Sequence, residues 1–203
     1  MVSISGTTLT LEGSETDFET WGDPGYGYFV RTATLDATRI LCAYSRGVAS
    51  GYHQAFLVAV AIDTGAETLT PGTRVAMGGY PYSSFFSSPT LDVFDDRYYL
   101  TGFNYEVAGG EVVGTVITAG SAITTKGGAR APVVACLDTT HWVVAYLDTY
   151  PPGNNAKITT GKQSVKVLTK DIEDTEFEAD ATDALAICKM TSQLFAIAYK
   201  ETP

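Results

Sequence analysis

Four ten-residue strings in this chain share one order of apolar and polar positions: LDATRILCAY at 35–44, FDDRYYLTGF at 94–103, LDTTHWVVAY at 137–146 and MTSQLFAIAY at 190–199. Each opens on an apolar residue, crosses a short polar stretch, then enters an apolar run closed by a small residue and an aromatic. That order predicts a hairpin: the end of one strand, a tight turn, and a second strand. Three of the turns open on an aspartate, Asp36, Asp95 and Asp138, and the fourth has Thr191 there. The apolar runs do not alternate cleanly; AFLVAVAI and WVVAY are apolar at consecutive positions. Strands of this kind are buried on both faces.

A second pattern follows the first three strings, as TGAETLT at 64–70, AGSAIT at 119–124 and TGKQSVK at 160–166. Its glycine reads as a turn and the residues after it as a strand. No fourth copy follows Tyr199, where only KETP remains; it stands at the other end of the chain, as SGTTLT at 5–10. One repeat is thus split between the two ends, and a ring closes if those ends meet in one sheet. The expectation is a single all-β domain over 1–203, a four-bladed β-propeller whose fourth blade is closed by N- and C-terminal strands. A β-sandwich could produce some of this pattern but gives no reason for the split repeat.

The expected strands are 28–35, 39–45, 55–62 and 68–77 in the first blade, and 89–94, 98–105, 111–118 and 122–125 in the second. The third takes 132–137, 142–148, 156–160 and 165–169. The fourth takes 184–190 and 194–200, completed by 2–5 and 7–11.

These strings resemble β-propeller repeats of the general LDxTxxLVAY…SGTTITxG kind, met in bacteriophage structural and bacterial extracellular proteins. The resemblance spans nearly the whole chain and implies the fold alone. The WD dipeptide and the SxDxGxTW box of other propellers are absent, so no catalytic residue is carried over.

Composition narrows the function. A formal net charge of −10, with no basic stripe, argues against nucleic acid as a partner. The most apolar stretch, 55–62, is far shorter than the roughly 20 residues that span a bilayer, so no membrane insertion is expected. MVSISGTTLTLEG lacks the basic start and apolar run of a secretion signal, which points to a virion or cytoplasmic location. Cys42, Cys136 and Cys188 are far apart in sequence and set among apolar residues, and read as three buried, reduced thiols without a metal.

The residues capable of chemistry are few. Asp36, Asp95 and Asp138 occupy turn positions where aspartate caps backbone amides. His53 and His141, the two histidines, stand in separate repeats without a nucleophile motif. The glycine pairs at 78–79, 109–110 and 127–128 precede no helix, so they are not phosphate loops. No catalytic residue, metal site or cofactor is expected.

The loops carry more. In a propeller, the links between blades and those between second and third strands open on one face. That face would collect Phe18, Trp21, Tyr26, Tyr52, His53, Tyr80, Tyr82, Phe85, Phe86 and Tyr150, with the acidic Asp17, Glu19, Asp23, Asp171, Glu173 and Glu176. Aromatic rings beside acids suit a protein interface or the face of a sugar. The expected function is a non-enzymatic binding or assembly module associated with a bacteriophage virion, binding a protein partner. A lectin-like carbohydrate binder and a hydrolase using loop carboxylates are the alternatives.

Overall fold

The structure, a computed structural model, describes residues 2–5, 8–11, 27–48, 52–80, 88–103, 106–125, 129–148, 155–178 and 182–201. These residues form antiparallel strands and no helix. β1 (Val2–Ser5) and β2 (Thr8–Leu11) make an N-terminal hairpin. The first sheet holds β3 (Gly27–Asp36), β4 (Arg39–Val48), β5 (Tyr52–Asp63), β6 (Thr68–Pro71) and β7 (Val75–Tyr80). The second holds β8 (Thr90–Val93), β9 (Tyr98–Phe103), β10 (Glu106–Val113) and β11 (Val116–Thr124). The third holds β12 (Ala129–Cys136), β13 (His141–Asp148), β14 (Asn155–Ser164) and β15 (Val167–Glu178). β16 (Thr182–Lys189) and β17 (Phe195–Glu201) make the fourth.

The sheets are meanders, and each packs on the next in sequence order. Their first strands lie side by side: β3 against β8, β8 against β12, β12 against β16. Between the first and second sheets, Leu41, Leu57 and Ala59 meet Tyr99, Val112 and Ile117. Between the second and third, Leu100 and Val107 meet Val134, Cys136, Trp142 and Val144. Ile187 and Phe195 of the fourth sheet lie half-buried against Leu137 and Val143 of the third. The first sheet has a further buried face, made by Cys42, Tyr44, Phe56, Val58 and Val60, with the Tyr44 and Phe56 rings stacked at 5.5 Å. Strands β4 and β5 are therefore apolar on both sides, which is why their sequence does not alternate. Burying each such Val, Leu or Phe side chain contributes about 1.5–3 kcal/mol. Because several sheets stack in succession, the two-sheet sandwich is not the arrangement formed.

The hairpins at the four repeated strings form where expected, and three differences have physical causes. The first concerns the glycine pattern. Gly65 does sit in a turn, but Gly120 and Gly161 lie inside strands. The turns are instead at Gly114, with φ +61°, and at Val165, with φ 58°. Gly161 pairs with Trp142, and a methyl group there would overlap the indole ring and the Thr169 carbonyl oxygen. Gly110 faces Tyr99 in the same way. These glycines make room for a ring across the strand.

The second difference is at the chain ends. Among the described residues β1 pairs with β2 alone and β16 with β17 alone, and the expected pairing of residues 2–11 with 194–200 is not among the strand pairs. β1 and β2 are neighbours in the chain, and their register is local, from Val2↔Leu11 to Ser5↔Thr8.

The third is Cys188. Cys42 and Cys136 are buried as expected, but Cys188 is exposed. The fourth sheet is covered on one side, and Ala186, Cys188, Ala196 and Ala198 are exposed. Burial pushes the Cys42 thiol up to about 11. Burial, with help from Asp92, also holds Cys136 well above the usual thiol range. In the native protein a thiol reagent is expected to label Cys188 quickly and Cys42 and Cys136 only on unfolding. Two or more fast thiols would show that the inter-sheet layers are open.

Candidate functional site

The four repeat turns use their polar residues on themselves. Asp36 Oδ1 accepts from the Thr38 amide at 2.7 Å, and Asp95 Oδ1 from the Arg97 and Tyr98 amides at 2.8 and 2.7 Å. Asp138 Oδ1 accepts from the Thr140 and His141 amides at 2.7 and 2.8 Å. In the fourth turn the Gln193 amide donates to Thr191 Oγ1 at 3.2 Å, a longer bond to a neutral oxygen. The recurring aspartates are turn caps, as their spacing implies.

Two of these caps also hold the side chain of the residue that opens the next strand. Arg39 reaches Asp36 at 2.6 Å, and its guanidinium extends to the backbone carbonyls of Asp96 and Gly114 in the second sheet. The Arg39 hydrogen bond, then the Thr38 amide and hydroxyl, lower the Asp36 carboxyl to about 2. His141 Nδ1 lies 2.8 Å from Asp138 Oδ2. Burial raises Asp138, but the Thr140 and His141 bonds outweigh it and hold the group below the ordinary carboxylate value.

Acid sensitivity follows. A carboxyl depressed in the folded state adds stability above its unfolded value, near 4, and that contribution is lost as pH falls toward the folded value. Melting temperature is expected to drop between about pH 4 and pH 2, and Asp36→Asn should flatten the Asp36 part of that drop. An unchanged slope in Asp36→Asn would remove this carboxylate from the acid response.

At this turn end, a groove of about 360 Å³ opens between the third and fourth sheets. Leu137, Thr160 and Phe195 line it, with Asp138 and His141 at the β12–β13 turn. Ser192 and Gln193 enter from the β16–β17 turn and Asp171 from β15. Asp171 Oδ2 lies 3.6 Å from Lys162 Nζ. Among the described residues no three His, Cys, Asp or Glu side chains gather to hold a metal ion. No helix among them is long and apolar enough to cross a membrane.

Most of the aromatic residues expected to form a binding face lie outside the described residues. Trp21, Tyr26, Tyr82, Phe85 and Tyr150 lie outside the described residues, as do Phe18, Phe86, Asp17, Glu19 and Asp23. For Tyr52, His53 and Tyr80 the backbone is described. His53 pairs with Tyr80 and with Gly47, and Tyr52 with Val48, so these three come together at one end of the first sheet. Asp171, Glu173 and Glu176, expected in a loop, belong to strand β15. Their strand was missed because the residues are charged; the side that would face a neighbour is instead largely exposed.

The groove itself was not read from the sequence. Its signal was present, as two successive repeats whose turns are rich in polar groups, TTH and TSQ. What joins them is the packing of the fourth sheet on the third. No family model, curated protein or solved structure matches this chain.

Proposed function

We propose that this chain is a non-enzymatic binding and assembly module on a four-bladed β-propeller, of the virion-associated kind that its repeats resemble. The observation that carries the scaffold is the strand inventory. Three sheets have four strands or more, the fourth has two, and a separate two-stranded hairpin, β1–β2, carries the missing part of the repeat. The first strands β3, β8, β12 and β16 follow one another as the inner strands of successive blades would.

Binding rather than catalysis is supported by how the recurrent carboxylates are used: Asp36, Asp95 and Asp138 serve their own turns. The partner face is the end where Tyr52, His53 and Tyr80 come together; Trp21 precedes β3 in the sequence and Tyr82 follows β7. Rings on a rigid sheet end bury large area at small conformational cost.

The test is co-sedimentation of the purified protein with purified particles. Trp21→Ala/Tyr82→Ala should abolish association while leaving the melting temperature unchanged. Asp36→Asn/Asp95→Asn should leave association intact. The reverse result would place binding at the turn end, and no association by the parent protein would end the assembly reading.

A further inference from the structure

The groove between the third and fourth sheets is where a cavity, satisfied charges and uncommitted polar side chains coincide. Its floor is apolar, with Leu137 buried and Phe195 half-buried. Asp138 and Asp171 stand on its third-sheet side, and Ser192 and Gln193 on its fourth-sheet side.

The charge state of this groove limits what it can hold. Asp138 is bonded to its turn amides and to His141, and Asp171 faces Lys162 at 3.6 Å. A cationic ligand would have to displace these partners, and an anion would meet two carboxylates. With Asp138 taken up by its turn, what remains is the Asp171 carboxylate opposite a hydroxyl and an amide, across an apolar floor. A ligand matching it must both donate and accept along one edge and be apolar on one face. Vicinal hydroxyls on a sugar ring do the first, and the ring's C–H face does the second.

We propose that this groove binds one neutral sugar ring, its hydroxyls bridging Asp171 to Ser192 and Gln193 and its C–H face on Phe195. The volume, about 360 Å³, suits one ring and lies near the lower end of small-ligand pockets. This site goes beyond the assembly reading and does not rest on it: it lies at the opposite end of the sheets from Tyr52 and Tyr80. An open groove with few anchoring bonds gives weak binding, with Kd of about 1 mM.

The chain has two histidines, so its imidazole proton resonances report on two places. Purified protein is titrated with glucose, galactose, mannose and N-acetylglucosamine, with inorganic phosphate and arginine as charged comparators. At least one sugar should move the His141 resonance saturably, identified by its loss in His141→Gln, and leave His53 still. Gln193→Ala and Asp171→Asn, both changes at exposed positions, should each weaken that binding about 2–10-fold. The proposal is overturned if no sugar moves His141, if both variants bind as the parent does, or if phosphate or arginine binds more tightly than every sugar. Failure of particle association would leave this titration unaffected, and the reverse holds as well.

Discussion

Trp142→Ala is expected to lower the unfolding free energy by about 3–5 kcal/mol, measured by urea titration. Trp142 is fully buried between the second and third sheets, against Phe94, Leu100, Val107 and Leu168. Removing the indole empties a space that two rigid sheets cannot collapse to fill. The glycine across from it makes the reciprocal point. Gly161→Ala pushes a methyl into the indole and into the Thr169 carbonyl, and should cost about 1–3 kcal/mol or more. The double variant should lose less than the two single losses combined, since the methyl then enters space the indole has left. Full additivity would mean that the ring and the glycine do not share that space.

The second large effect concerns a buried charge pair. Lys157 Nζ donates to Asp148 Oδ2 at 2.8 Å, with side chains 11% and 7% exposed. Removing one partner takes this ion pair away from a charge that stays buried, and Lys157→Met is expected to cost about 3–5 kcal/mol. Lys157→Met/Asp148→Leu should recover most of that loss, because two charges are then absent from the interior. If the double variant were as unstable as the single, the loss would come from packing of the lysine stem instead. The pair joins β13 to β14, next to the Tyr146↔Lys157 and Leu147↔Ala156 register. A local failure there should propagate to both neighbouring sheets.

The repeats made the hairpins legible because a turn and its flanking strands are determined by neighbours in sequence. Leu35 through Tyr44 and its three counterparts carry the apolar entry, the capping oxygen and the buried strand within ten residues. Glycine was misread where its reason lies across the sheet. Nothing near Gly161 in sequence reveals that Trp142 will face it, and the true turn at Val165 has no glycine at all. Cys188 sits in the apolar string ALAICKM, which describes its neighbours along the strand but not whether a second sheet covers its face. The groove was hidden for the same reason. Asp138 and His141 looked like a capped turn, which they are, and only the docking of β16–β17 brings Ser192 and Gln193 to them.

The succession of sheets has a consequence for how the protein is made. Each sheet is a meander whose strands are neighbours in the chain, and its main docking surface belongs to the sheet before it. A nascent chain emerging from the ribosome can therefore complete the first sheet, dock the second on it, and then the third, without waiting for its C-terminus. The last hairpin, β16–β17, arrives onto a finished surface of Ala135, Leu137 and Val143. Among the described residues it packs mainly on the third sheet, whereas the second and third sheets each pack on two, so it should also open before them, exchanging its amide hydrogens while they stay protected.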